Sequence, residues 1–220
     1  MKMRLPSIPL ITVDPYFSVW SYDKINTHFP VHWTGSRNAI LGLVIVDGEE
    51  LRFLGEGYGL EIPQISIDID AFSTIAIFKN EKIELEVKFT TPILADSLYY
   101  ASRPVSYLKL SYKSVDNKKH DVKVKITVSE ELVLNKAGEG RALYERVECE
   151  DLTCIKMGRA NQTVLNSCGD DIRIDWGYFY LATNGDAKYS DCVISDFLSL
   201  WNLHLIMKNC LYLHMMILTV

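Results

Sequence analysis

A chain of 220 residues is long enough to bury a sizeable core without help from disulfides. Hydrophobic residues make up 48% and charged residues 23%, near the averages of globular domains, which excludes disordered and fibrous classes. The net charge of -5, with Lys118–Lys119 as the only adjacent basic pair, argues against a nucleic-acid surface, because phosphate binding needs clustered cations.

At the N-terminus, Met1-Lys2-Met3-Arg4 is followed by Pro6 and Pro9, with no apolar h-region behind the basic start. No secretory signal is therefore read, and the expected location is cytoplasmic. Next comes an aromatic stretch, Pro15-Tyr16-Phe17-Ser18-Val19-Trp20, whose apolar side chains are too dense for a free arm. Core or domain-interface packing is its first reading, and a sugar-stacking platform is the rival. Trp33, beside His32, carries the same two readings.

From Ile40 the dominant signal is period two, which puts alternate side chains on one face of a strand. Leu41, Leu43 and Ile45 lead into Asp47-Gly48, and Leu51 and Phe53 follow; a D-G step between apolar alternations signals a hairpin. Ile65, Ile67 and Ile69 alternate with Ser66, Asp68 and Asp70. A second hairpin runs from Ile75 and Ile77 through Lys79-Asn80-Glu81-Lys82 to Ile83, Leu85, Val87 and Phe89, with Glu84, Glu86 and Lys88 on its wet face. A third joins Tyr107, Leu108 and Leu110 to Val122, Val124, Ile126 and Val128 through the polar turn Asp116–Asp121. Two later apolar segments, 154–157 and 172–182, flank the turn-rich residues 166–171. Strands recurring at short spacing without helical patterns between them predict an all-β antiparallel sandwich.

The composition changes near Asp191. Residues 193–220 are mostly apolar, with Asp196 and Lys208 as the only formal charges. A membrane anchor needs about 18 to 20 uninterrupted apolar residues, and Lys208-Asn209 interrupts this run, so no membrane partner is expected. The preferred reading is an atypical apolar C-terminal tail, produced by truncation or a shifted reading frame. The chain is accordingly divided into an N-terminal segment 1–60, a sandwich domain 61–190 and a tail 191–220.

No complete catalytic constellation is visible. His28 and His32 have helical zinc spacing, but Pro30 between them breaks a helix, and a hydrogen-bonded structural His32 is the preferred reading. Gly55-Glu56-Gly57-Tyr58-Gly59 has Leu60 where a dinucleotide fingerprint needs its third glycine, so it reads as a turn. Asp68 and Asp70 share a strand face, as the paired acids of glycosidases can, though alternation alone explains them. The five cysteines, Cys149, Cys154, Cys168, Cys192 and Cys210, lack C-x-x-C spacing and read as reduced thiols. The sequon Asn161-Gln162-Thr163 has no role in a cytoplasmic chain. Neither cofactor nor metal is called for.

The richest cluster is Gly169-Asp170-Asp171-Ile172-Arg173-Ile174-Asp175-Trp176-Gly177-Tyr178, where acids and one arginine precede an aromatic strand. It can bind a polar ligand, with Trp176 as a stacking plate, or form an internal network from Arg173 to carboxylates; the internal network is preferred. Candidate interface or ligand-contact residues are thus Asp14, Tyr16, Trp20, His32, Trp33, Asp171, Arg173, Asp175 and Trp176. As an acid or base, Asp171 or Asp175 is the weaker hydrolase reading.

Residues Pro9 to Trp20, His32-Trp33-Thr34-Gly35, Val46-Asp47-Gly48 and Ser167 to Tyr178, in this order, resemble the N-terminal region of glutaminase A-like proteins. The resemblance runs from about Pro9 to Ala182. It implies a β-sandwich of supersandwich type in front of a larger α-helical toroid domain like those of glycoside hydrolases. It also implies that the whole protein hydrolyses L-glutamine to L-glutamate and ammonia, that its relatives are often secreted, and that the helical domain normally lies in the same chain. No catalytic residue carries over. A carbohydrate-binding module, with Trp20, Trp33 and Trp176 as stacking surfaces, is the alternative.

Overall fold

The computed structural model describes residues 5–149, 152–183, 187–192, 202–208 and 212–218. Its N-terminal hairpin pairs β1 (Ile8–Asp14) with β2 (Phe17–Ser21). A six-stranded sheet then takes β3 (Ile40–Val46), β4 (Glu49–Leu54), the short β5 (Leu60–Glu61), β10 (Val122–Ser129), β14 (Ala187–Cys192) and β15 (Asn202–Lys208), in the order β14-β15-β10-β3-β4-β5. The facing eight-stranded sheet has the order β11-β12-β13-β16-β9-β8-β7-β6. Its strands are β6 (Gln64–Ile69), β7 (Ser73–Lys79), β8 (Ile83–Thr90), β9 (Val105–Ser114), β11 (Ala142–Cys149), β12 (Leu152–Arg159), β13 (Tyr178–Thr183) and β16 (Tyr212–Leu218). Among the described residues every strand pairing is antiparallel except β4 with β5, and the chain is an all-β sandwich. Helix among the described residues is confined to α1 (Leu98–Ala101) and a 3-10 turn at Glu130–Leu132. Among the described residues no helix is long and apolar enough to cross a membrane.

One apolar cluster runs between the sheets. Ile40, Val44 and Val46 of β3 and Val122, Val124, Ile126 and Val128 of β10 face Ile83, Leu85, Val87 and Phe89 of β8, Leu108 and Leu110 of β9, and Phe179 and Leu181 of β13. Phe53 of β4 reaches across to Phe78 of β7, ring centroids 6.3 Å apart and edge to face. Gly42 makes room for that ring, since a Cβ there would lie 2.5 Å from it. The hairpin β1–β2 belongs to the same core: Leu10, Ile11 and Val19 are buried, and Phe17 stacks on Phe179 at 6.3 Å. Ile8 to Leu54 and Ile62 to Leu181 therefore share one interior across the division expected at residue 60.

Two strands turn faces that period two alone does not assign. In β7 it is Ala76 and Phe78 that point inward, while Ile75 and Ile77 lie half-buried outside. All four are apolar, so pairing with the unambiguous β8, Ala76 to Val87 and Phe78 to Leu85, decides the face. In β3, Leu41 and Leu43 face away from the main core into a second cluster with Ala39 and Phe29. The Gly55–Gly59 turn closes over them: a Cβ on Gly59 would meet Leu43 at 2.9 Å. Within β6, Ile67 and Ile69 pack on the core, whereas a register shift between Gln64 and Ser66 leaves Ile65 exposed. Residues expected to form an atypical tail supply β15, between β14 and β10, and β16, between β13 and β9. The remainder of that tail, 193–201, 209–211 and 219–220, lies outside the described residues.

The D-G step makes the expected tight turn, with φ of 53° at Asp47 and 88° at Gly48, the left-handed pair that matches strand twist. That turn is tied to the β9–β10 loop through His120, whose Nδ1 lies 2.8 Å from Asp47 Oδ2 and whose Nε2 lies 2.9 Å from Asp116 Oδ1. Hydrogen bonds to Asp116 and then Asp47 push the imidazole pKa up, and His120 in turn holds both carboxyls below their usual range. A raised histidine pKa stabilises fully below its unfolded value of about 6.5 and loses that contribution as pH rises through the folded one. The depressed aspartates stabilise above about pH 4 and lose their contribution as pH falls through their folded values. The melting temperature of the wild type is thus expected to be highest between about pH 4 and 6.5 and to fall on the alkaline side. In His120→Gln that alkaline fall should disappear. Thermal melts of both proteins from acid to alkaline pH check this, and parallel profiles would contradict the latch.

Candidate functional site

The aromatic N-terminal hairpin, the loop before β3 and the 171–176 segment converge at one end of the sandwich. Asp14 builds the β1–β2 turn: its Oδ1 accepts the backbone N–H of Tyr16 at 2.7 Å and of Phe17 at 2.9 Å. Pro15, held in that turn, offers one carbonyl to two donors, Trp33 Nε1 at 2.6 Å and His32 Nε2 at 3.1 Å. With Nε2 donating, His32 Nδ1 is the acceptor that faces Thr34, Oγ1 at 3.0 Å and N at 3.4 Å. Burial pushes the His32 pKa down and the Arg173 charge adds to it, against the opposing pull of the Pro15 carbonyl, Asp171 and Asp14. His32 is therefore neutral, fully buried and committed to the turn. His28 lies apart from it, exposed, with Nδ1 3.5 Å from Glu56.

Arg173 is the hub of the polar layer beneath. Only 5% exposed, it donates Nε to the Asn135 carbonyl at 2.7 Å and Nη1 to the Arg37 carbonyl at 3.0 Å, to Asn38 Oδ1 at 3.2 Å and to the Glu131 carbonyl at 3.4 Å. Its own N–H donates to Asn135 Oδ1 at 2.9 Å. These acceptors are neutral, and burial lowers the Arg173 pKa against the pull of Glu131 and Asp171. Carboxylates act on it at longer range, not as hydrogen-bond partners. Asp175 is turned the other way, buried and paired with Arg159 of β12. Asp171 stays exposed at the surface, within electrostatic reach of His32 and Arg173.

Glu131 closes the layer. Its side chain is 2% exposed; Oε1 accepts Arg37 Nε and Nη2, both at 2.8 Å, and Oε2 accepts Ala39 N at 3.0 Å and Ser129 Oγ at 3.1 Å. Its neighbour Glu130 is also buried, and burial raises its pKa despite a hydrogen bond from the Ala142 N–H. Adjacent acids after a strand read naturally as surface, which is why neither was singled out from sequence. Arg37, Asn38, Asn135 and Arg159 were missed for the same reason, since nothing local distinguishes a polar side chain that pairs far along the chain. A faint signal did exist: Ser129 continues the outward phase of β10, where Lys123 and Lys125 stand, yet is followed at once by two acids and by Leu132-Val133-Leu134.

Two concavities flank these residues. A groove of about 300 Å³, open on one side, is lined by Thr12, Asp14, Pro15, Ser18, Trp20 and Trp33, and its wall is almost wholly apolar. Beside it, a cleft of about 50 Å³ lies between Tyr16, Arg173, Asp175 and Trp176. Trp176 packs partly on the core. Tyr16 and Trp33 are about half exposed, 50% and 51%. Asp70, by contrast, caps a turn through Phe72 N at 2.8 Å and Ser73 N at 2.6 Å, and the first of these bonds lowers its pKa. Among the described residues no group of three His, Cys, Asp or Glu side chains is arranged to hold a metal ion.

Residues 1–67 match the family model described as a domain of unknown function, DUF4964, and residues 72–199 match a second, also described as a domain of unknown function, DUF5127. Glutaminase A of Aspergillus oryzae (strain ATCC 42149 / RIB 40) is 25% identical over 194 residues, which takes in 82% of this chain. The chain spans only 27% of that relative, a distant relationship to part of a much longer protein. The DUF5127 model extends over more than half of the sequence, and the chain belongs to that family.

Proposed function

We propose that this chain is the non-catalytic β-sandwich part of a glutaminase A-like amidohydrolase, packing against an α-helical domain that carries the chemistry. The observation that carries this reading is the commitment of the polar groups at the aromatic end. His32, Arg173, Glu131 and Asp175 are each buried and hydrogen-bonded to neighbouring segments of the chain. Catalysis needs a nucleophile or base free to meet a substrate, and each of these groups is instead spent on a partner within the sandwich. Meanwhile Tyr16 and Trp33 present aromatic surface outward, as residues do that cover a second domain. Coverage of 27% of a glutaminase A leaves room in such a protein for the larger domain.

Ammonia release from L-glutamine tests the reading. The 220-residue chain alone is expected to show no turnover above buffer, and a protein extended by a helical glutaminase domain is expected to be active. Equal turnover by the two proteins would place the chemistry within this chain and end the proposal.

A further inference from the structure

The groove between Trp20 and Trp33 is not used by the internal network. Its wall is apolar, formed by two indoles and Pro15, and none of its lining residues is cationic. The polar atoms within reach are few. Ser18 Oγ and Trp20 Nε1 are sealed from solvent and have no hydrogen-bond partner, so they offer nothing to a ligand at the groove surface. Asp14 spends Oδ1 on the turn, which leaves Oδ2 without a partner among the described residues. Asp171 adds negative potential from the neighbouring segment, as its pull on His32 registers. The whole chain is acidic, at -5.

We propose that this groove receives the side chain of an arginine or lysine presented by a partner polypeptide, its aliphatic stem lying along the indoles and its cationic head meeting Asp14. The chemistry follows from the wall. Aromatic faces attract a cation through their quadrupole, and a carboxylate at the rim adds charge complementarity. A sugar needs several fixed donors and acceptors for its hydroxyls, and the side chains lining the groove offer few, Asp14 Oδ2 and the Thr12 hydroxyl. A free small molecule would leave most of its surface wet in so open a groove, whereas a side chain anchored to a polypeptide need bury only its tip. The partner is the helical domain of the proposed full-length protein, so the inference rests on that reading.

The test titrates the isotope-labelled 220-residue chain with Nα-acetyl-arginine N-methylamide while following the four indole N–H resonances. Saturable shifts of the Trp20 and Trp33 signals are expected at about 1–10 mM, with Trp176 unmoved. Asp14→Asn keeps the Oδ1 acceptor of the turn and removes only the charge, so it should weaken binding roughly 5- to 10-fold with the spectrum otherwise unchanged. Trp33→Leu, at a half-exposed position, should weaken it at least as much. Equal shifts with the neutral norleucine derivative, shifts with cellotriose but not with arginine, or no shift at all with the arginine probe would each overturn the proposal. The glutamine assay reports separately: an active extended protein together with a silent groove would sink the cation site alone, and a responsive groove on a chain that needs no second domain would sink only the reading beneath it.

Discussion

Replacement of Arg173 by alanine is expected to lower the unfolding free energy by about 3–5 kcal/mol, a large part of the roughly 5–15 kcal/mol that such a domain possesses. The magnitude follows from what truncation leaves behind. Carbonyls of Asn135, Arg37 and Glu131, together with Asn38 Oδ1, converge on the guanidinium of a residue that is only 5% exposed. Each buried acceptor stranded there costs about 1–3 kcal/mol, less whatever relaxation and water entry recover. Lysine should rescue little, because an ammonium on a flexible stem cannot span acceptors that a planar fork reaches together. Methionine fills the volume but donates nothing, and should resemble alanine. Urea unfolding followed by tryptophan fluorescence measures all three variants. A loss below about 1 kcal/mol in Arg173→Ala would mean that water already serves these carbonyls.

The sandwich was readable because most strands have one wet face. β8 alternates Ile83, Leu85, Val87 and Phe89 with Glu84, Glu86 and Lys88, and period two and burial agree there residue by residue; in β10 they agree from Val122 to Ile126, after which Thr127 and Ser129 of the outward phase are buried as well. Where both faces are covered the pattern is degenerate, as in β3 and β7, and only the partner strand settles which side meets the core. Asp14, Tyr16, Trp20, His32, Trp33, Asp171, Arg173, Asp175 and Trp176 lie near one another at the aromatic end, which gives them a place but no role. Their partners were not legible. Adjacency in sequence pairs Arg173 with the acids beside it, yet its bonds go to carbonyls 38, 42 and 136 residues away, and Asp175 binds Arg159 instead. Sequence proximity favours adjacent charges, whereas the fold brings together strand ends that are remote in sequence. His120 was absorbed into a polar turn for a related reason, since Asp47, one of its two partners, lies 73 residues earlier.

Glu131→Ala is expected to destabilise by about 2–5 kcal/mol, for a reason distinct from that at Arg173. Here a buried anion is removed, and the donors it served are orphaned: the Ala39 N–H, where β3 begins, and the Ser129 hydroxyl, where β10 ends. Arg37 is 36% exposed, so its guanidinium can turn to water, and the ion pair itself contributes the smaller share. Glu131→Gln separates the two contributions. One amide oxygen can still accept from Ala39 and Ser129 if the amide nitrogen turns toward Arg37, a placement in which donor faces donor. A loss of about 1–3 kcal/mol is expected, between the wild type and alanine. A double-mutant cycle with Arg37→Ala should return a coupling of about 0.5–2 kcal/mol, less than the full cost of Glu131→Ala. If instead the coupling equals that full cost, the backbone and hydroxyl donors matter little, and the Arg37–Glu131 ion pair, not the start of β3, is what the carboxylate holds in place.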